Sequence, residues 1–265
     1  MTLLITVVLT LISTRNKNIA PKTGSSELLQ DNHFIVNIAE INTTGRIFAY
    51  MDTYQDKSCK IIVSTDKNAI IYDLPEHSDG IWIPANMRNG TYTASLYQKT
   101  ENRRYKRISE LSFQVQMQDE WLPYQYPNEQ VCYDDENPAI LLAKTLNNGE
   151  PDAELYQKIK SYINETFLYD YIKAMQNDNP LIADIEETYE SKTGICLDLA
   201  TLAAAMLRSQ GIPTRLVIGY AGQNLHAWTQ SRINDEIILY DPTAEILTLP
   251  MPKGRGFLLP AKCIG

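Results

Sequence analysis

The sequence predicts an α+β protein of two domains, an all-β half followed by a half in which helices and strands mix. Three observations carry this. Short strand-like segments punctuated by turn residues fill residues 33–118. Helical periodicity first appears after Asn137 and recurs to about Arg208. The chain has 265 residues, 44% of them hydrophobic, enough for two cores of ordinary size.

The chain opens with an apolar run, Met1–Ile12, too short to span a bilayer and about the length of a signal-peptide core. Polar residues Ser13–Asp31 read as a linker. Residues 1–32 are therefore expected to be a leader and linker, and the protein to be secreted or held at the cell surface.

Residues 33–118 supply the strands. Phe34–Ile41, Arg46–Tyr50, Lys60–Ser64, Ala69–Tyr72, Ile81–Ile83, Thr91–Tyr97 and Ile108–Val115 are rich in β-branched and aromatic residues, with turn signals such as Thr44-Gly45 and Asn89-Gly90 between them. Regular short strands with such punctuation predict an immunoglobulin-like sandwich. Tyr92, Ala94 and Leu96 should point inward on one face. His33 and His77 stand in polar surroundings and read as solvated. No catalytic group collects here, so a binding or positioning module is expected.

A net charge of −8 and the lack of a basic stripe argue against nucleic acid, whose phosphates must be neutralised by Lys and Arg. The cluster Arg103–Arg107 reads as a solvated hairpin turn. Four cysteines, Cys59, Cys132, Cys196 and Cys263, form no C-x-x-C pair, so neither a zinc knuckle nor a dense disulfide framework is indicated.

Residues 119–265 form the second domain. Asn137 caps and Pro138 opens a helix whose apolar side is Ile140, Leu141, Ala143 and Leu146. Leu155, Ile159, Ile163 and Phe167 recur at four-residue spacing and line one face of a second helix, which Tyr169–Tyr171 should end. The stretch from there to Ser191 reads as a surface loop.

The segment Cys196–Arg208 has almost no polar face and predicts a buried helix, terminated by Gly211-Ile212-Pro213. Thr214–Tyr220 is strand-like, and His226–Ile233 with Glu236–Tyr240 forms a hairpin about Asn234-Asp235. Folding on that turn brings His226 level with Asp241 or within one pair of it. An Asp carboxylate there takes an imidazole N–H and fixes its orientation. Cys196 opens its helix where the partial positive charge favours thiolate and where free N–H groups could hold an oxyanion. Cys196, His226 and Asp241 thus supply the parts of a thiol acyl-transfer site. Taken singly, each has a plainer reading: a small buried cysteine, a half-buried histidine, a turn-forming aspartate. A metal site from the three lacks a fourth ligand.

Lys192, Gly194, Cys196, Asp198 and Ala200, then Gly211-Ile212-Pro213, Gly219-Tyr220, His226-Ala227-Trp228 and Asp241-Pro242-Thr243, resemble the bacterial transglutaminase-like superfamily. Leu168-Tyr169-Asp170 is similar to the segment that precedes its catalytic block. The resemblance implies a papain-like core with an immunoglobulin-like companion domain, Cys196 as nucleophile, His226 as general base and Asp241 as orienting acid. It implies no cofactor or metal, and a protein or peptide substrate. Tyr169 and Trp228 become candidates to line the substrate groove, Trp228 because it shares a strand face with His226. Members include cross-linkers, amide hydrolases and proteases, so the reaction stays open, as does a non-catalytic binding module.

Overall fold

The computed structural model describes residues 27–248 apart from 54–56, 102–103, 129, 177–181 and 223. The N-terminal apolar run and Cys263 lie outside the described residues. The chain is mixed α/β and divides into two compact units, up to Pro123 and from Tyr124.

The first unit holds two antiparallel four-stranded sheets. One has the order β1-β2-β3-β6, from Leu28–Asp31, Phe34–Asn37, Arg46–Met51 and Ile81–Pro84. The other has the order β5-β4-β7-β8, from Ala69–Leu74, Cys59–Ser64, Gly90–Lys99 and Tyr105–Val115. Phe34, Val36, Ile47 and Ile83 of the first sheet share one buried core with Ile61, Val63, Tyr92, Ala94 and Leu96 of the second. The inward alternation of Tyr92, Ala94 and Leu96 is as the pattern predicts.

Two expectations fail in this unit. The predicted strand Phe34–Ile41 stops at Asn37, whose side chain accepts from the Ala39 N–H, and a short helix α1 follows at Ile41–Thr44. Leu28–Asp31, read as linker, is a strand paired with β2, because Leu28 and Leu29 carry apolar surface that the polar flanks masked. His33 is exposed as expected, with its Nδ1 2.8 Å from Asp52 Oδ1 at the surface.

The second unit is built around one helix. Helix α2 (Pro138–Leu146) starts as predicted, with Asn137 accepting from the Ala139 N–H, and α3 (Asp152–Thr166) buries Leu155, Ile159 and Ile163 of the expected face. The stretch after α3 differs from expectation. Leu168–Tyr169 (β9) pairs in parallel with Thr193–Gly194 (β10), and Tyr171–Met175 is a short helix α4 rather than a terminator. Helix α5, Ile185–Ser191, replaces the expected loop: Asp184 caps it through the Glu187 N–H and Ile185 is buried.

Helix α6, Cys196–Arg208, is buried from Leu197 to Arg208, and Cys196 alone of its residues is half-buried. Its alanines let neighbours approach closely, and it packs on α2, α3, α5 and a three-stranded antiparallel sheet. That sheet is β11 (Thr214–Ala221), β12 (Asn224–Ile233) and β13 (Glu236–Tyr240), in that order. Asn234 and Asp235 both adopt positive φ, 52° and 64°, the two-residue turn that the hairpin required. Helix α7, Pro242–Ile246, follows.

Candidate active site

Three elements converge on Cys196. It opens α6 two residues after Gly194, and Gly194 is needed there: a Cβ would lie 2.7 Å from the Cβ of Asp198. Asp198, buried in the first turn, turns back to accept from the Ile195 N–H at 3.0 Å. Its carboxylate also pairs with Lys173 Nζ at 2.7 Å, so the short helix α4 is tied to the base of α6 by one ion pair. One N–H at this helix start is thus already occupied, which narrows the expected oxyanion donors to those beyond it.

His226 comes from β12. Its Nε2 donates to Asp241 Oδ2 at 2.7 Å, since a carboxylate can only accept. That bond leaves Nδ1 for Cys196, which lies close enough to help raise the pKa of the ring. The contact with Asp241 is diagonal rather than level. Thr229 pairs with Tyr240, so the residue opposite Asp241 in this register is Trp228, and His226 lies two residues further along. Asp241 has left the strand to cap α7, its Oδ1 accepting from the Ala244 N–H at 3.0 Å, and the turn aims its other oxygen back at the imidazole.

Burial disfavours the charged imidazole, but the Asp241 hydrogen bond, the Cys196 hydrogen bond and the negative charge of both outweigh it, and the His226 pKa is pushed up to about 9. The side chain of Asp241 is only 2% exposed and that of His226 16%, so this pair is poorly screened. Because the folded state binds the proton more tightly, His226 contributes stability that is complete below its unfolded value of about 6.5 and is lost as pH rises through 9. Chemical denaturation between pH 6 and pH 9.5 should show a loss on the order of 2–3 kcal/mol that His226→Gln does not share.

Of the two groove candidates, Trp228 stacks toward the His226 ring, centroids 6.1 Å apart at 27°. Its ring edge occupies the space that Gly219, the strand partner of His226, leaves open: a Cβ on Gly219 would lie 2.7 Å from Trp228 Cη2. Gly219→Ala should therefore push the indole against His226 and cost about 1–3 kcal/mol, read as a lowered denaturation midpoint. Tyr169 pairs with Gly194 through the backbone, and burial followed by the negative charge of nearby Cys196 raises the pKa of its hydroxyl. Both candidates thus stand beside the Cys196 and His226 pair.

Asp198, Lys173 and Gly219 were not singled out as site residues from the sequence. Asp198 carried a signal, an acidic side chain at the third position of a helix whose preceding residue, Ile195, cannot cap. Lys173 carried none, because its partner is 25 residues away. Among the described residues no cluster of His, Cys, Asp and Glu could hold a metal ion, and no helix is long and apolar enough to cross a membrane.

Residues 141–242, which contain Cys196, His226 and Asp241, match the family model described as the transglutaminase-like superfamily. No curated protein matches the sequence. Among solved structures, a protein from Cytophaga hutchinsonii named as a candidate cysteine protease is similar at 15% identity, covering 71% of this chain and 72% of that one, with a TM-score of 0.38. Red sea bream transglutaminase is similar at 14% identity over 74% of this chain and 47% of its own, with a TM-score of 0.29. The periplasmic domain of TgpA from Pseudomonas aeruginosa is similar at 19% identity over 84% of this chain and 97% of that domain, with a TM-score of 0.34. By the family match, the chain carries over residues 141–242 a core of the transglutaminase-like superfamily.

Proposed function

We propose that the second unit transfers acyl groups from protein or peptide amides through a thioester on Cys196. The observation that carries this is the placement of one imidazole between the Cys196 thiol and a buried carboxylate. The thiolate of Cys196 attacks the amide carbon, and the C–N bond breaks as His226 gives its proton to the departing amine. Water or a second amine then attacks the thioester, His226 taking its proton, and Cys196 is released. Asp241 holds the imidazole in the tautomer that both steps need.

Incubating the protein with a glutamine-containing peptide and a labelled primary amine tests the reading. Incorporated label means cross-linking, and release of ammonia or peptide fragments without label means hydrolysis or proteolysis. A Cys196 that iodoacetamide alkylates near pH 6 no faster than the exposed Cys132 would remove the activated thiol and leave a non-catalytic binding module.

The first unit is proposed as an immunoglobulin-like module that positions or attaches the enzyme, supported by two antiparallel sheets around one core. Export to the cell surface is proposed from the apolar run Met1–Ile12. Fractionation of cells expressing the full chain tests it, and retention of the protein in the cytosol would refute it.

A further inference from the structure

Asp241 stands between two residues that a single amide holds. Tyr240, the last residue of β13, is fully buried, and its hydroxyl donates to Asn164 Oδ1 at 2.7 Å. Glu245, one turn further on in α7, accepts from Asn164 Nδ2 at 2.7 Å through Oε2. The partners fix which amide atom is which: a carboxylate only accepts, so the nitrogen faces Glu245 and the oxygen is left for the Tyr240 hydroxyl. Burial, then the negative charge of Glu245, raises the pKa of that hydroxyl, which therefore stays a donor. The other Glu245 oxygen pairs with Lys160 Nζ at 2.8 Å. Asn164 and Lys160 are four residues apart on α3, so both project from one face of that helix.

This network bears on the thiol site through α7. A helix of five residues does not hold its shape without tertiary contacts. Asp241 caps it with one oxygen and turns the other to His226, so a shift of α7 against β13 changes where the second oxygen points. Asn164 joins the residue before Asp241 to the residue four after it. It fastens both to α3, a helix of 15 residues packed against α6.

We infer that Asn164 is a positioning residue for the thiol site: by joining Tyr240 to Glu245 it sets the direction in which Asp241 presents its carboxylate to His226. The inference rests on the acyl-transfer reading of Cys196, His226 and Asp241 given above, and deepens it. Asn164 acts through Asp241, not on the substrate.

Three variants of the full chain test it. Each is read by the NMR titration of His226, by the rate at which iodoacetamide alkylates Cys196 near pH 6, and by the denaturation midpoint. The chain has three histidines, and His226→Gln assigns the resonance. Asn164→Asp keeps an acceptor for Tyr240 but sets a carboxylate against that of Glu245. Asp241 and Cys196 are the charged partners of the His226 ring, and with Asp241 displaced the titration should fall from about 9 toward its ordinary value. Alkylation of Cys196 should slow about tenfold. Asn164→Asp combined with Glu245→Gln exchanges donor and acceptor across the same contact, and should return the rate to within about threefold of the wild type. Tyr240→Phe removes one hydroxyl and keeps the buried ring, and should slow alkylation about threefold.

A lowered midpoint with the His226 titration and the alkylation rate unchanged would make Asn164 a packing residue and overturn the inference. So would a double variant as slow as Asn164→Asp alone. Should Asn164→Asp fail to fold, Tyr240→Phe decides, and an unchanged titration and rate there overturn the inference. A wild-type His226 that titrates at its ordinary value of about 6.5 removes the acyl-transfer reading itself, and this inference with it. A raised wild-type value that the variants leave in place removes only the inference.

Discussion

Cys196→Ala eliminates turnover and thioester formation while the denaturation midpoint stays near that of the wild type. Activity should fall at least about 10³-fold, since removal of a nucleophile leaves only what binding and polar stabilisation supply. Stability should change little because Cys196 is the one half-buried residue of α6, and alanine suits the start of a helix as well as cysteine does. Mass spectrometry of the protein after brief exposure to an activated glutamine ester reads the result directly. An acyl adduct on the alanine variant, or retained turnover, would sink the assignment of Cys196.

Asp241→Asn lowers turnover by about 10²–10⁴-fold with little change in fold. Asparagine caps a helix as well as aspartate, so its carbonyl oxygen can keep the Ala244 N–H and α7 survives. The amide nitrogen then faces His226 Nε2, where a donor now meets a donor. The imidazole must shift its proton to Nδ1, the nitrogen that serves Cys196, or turn away. Loss of the carboxylate also removes the main force holding the His226 pKa near 9, so protonation of the leaving amine fails at lower pH. The alkaline limb of kcat/KM should accordingly move down from about 9 in the variant. An unchanged rate and an unchanged limb would take Asp241 out of the site.

How much of this was legible in the sequence follows from the range of each signal. The cap Asn137-Pro138, the periodic face of Leu155 to Phe167 and the positive-φ turn Asn234-Asp235 are local devices, written within a few residues of where they act. The order Cys196, His226, Asp241 was legible because a helix start and a hairpin fix relative positions by counting. The count nevertheless misplaced His226 by two residues, since Asp241 leaves the strand and reaches back from a helix cap. Helix α5 was missed although Asp184 and Glu187 marked its start, because the polar composition of the segment outweighed its single buried isoleucine, Ile185. The pairing of Lys173 with Asp198 and the fit of Trp228 over Gly219 depend on tertiary approach, and nothing in local composition encodes them.

Asp241 spends one oxygen on the imidazole and the other on the first turn of α7. That helix is five residues long and its start rests on this cap, an interaction of about 1 kcal/mol. The orientation of His226 thus depends on the cap of a five-residue helix as well as on the buried helix that carries Cys196. When that short helix frays, the carboxylate swings free and the imidazole loses its bearing while the rest of the core stays packed. A substitution that weakens this cap should therefore slow the reaction of Cys196 with iodoacetamide before it unfolds the core.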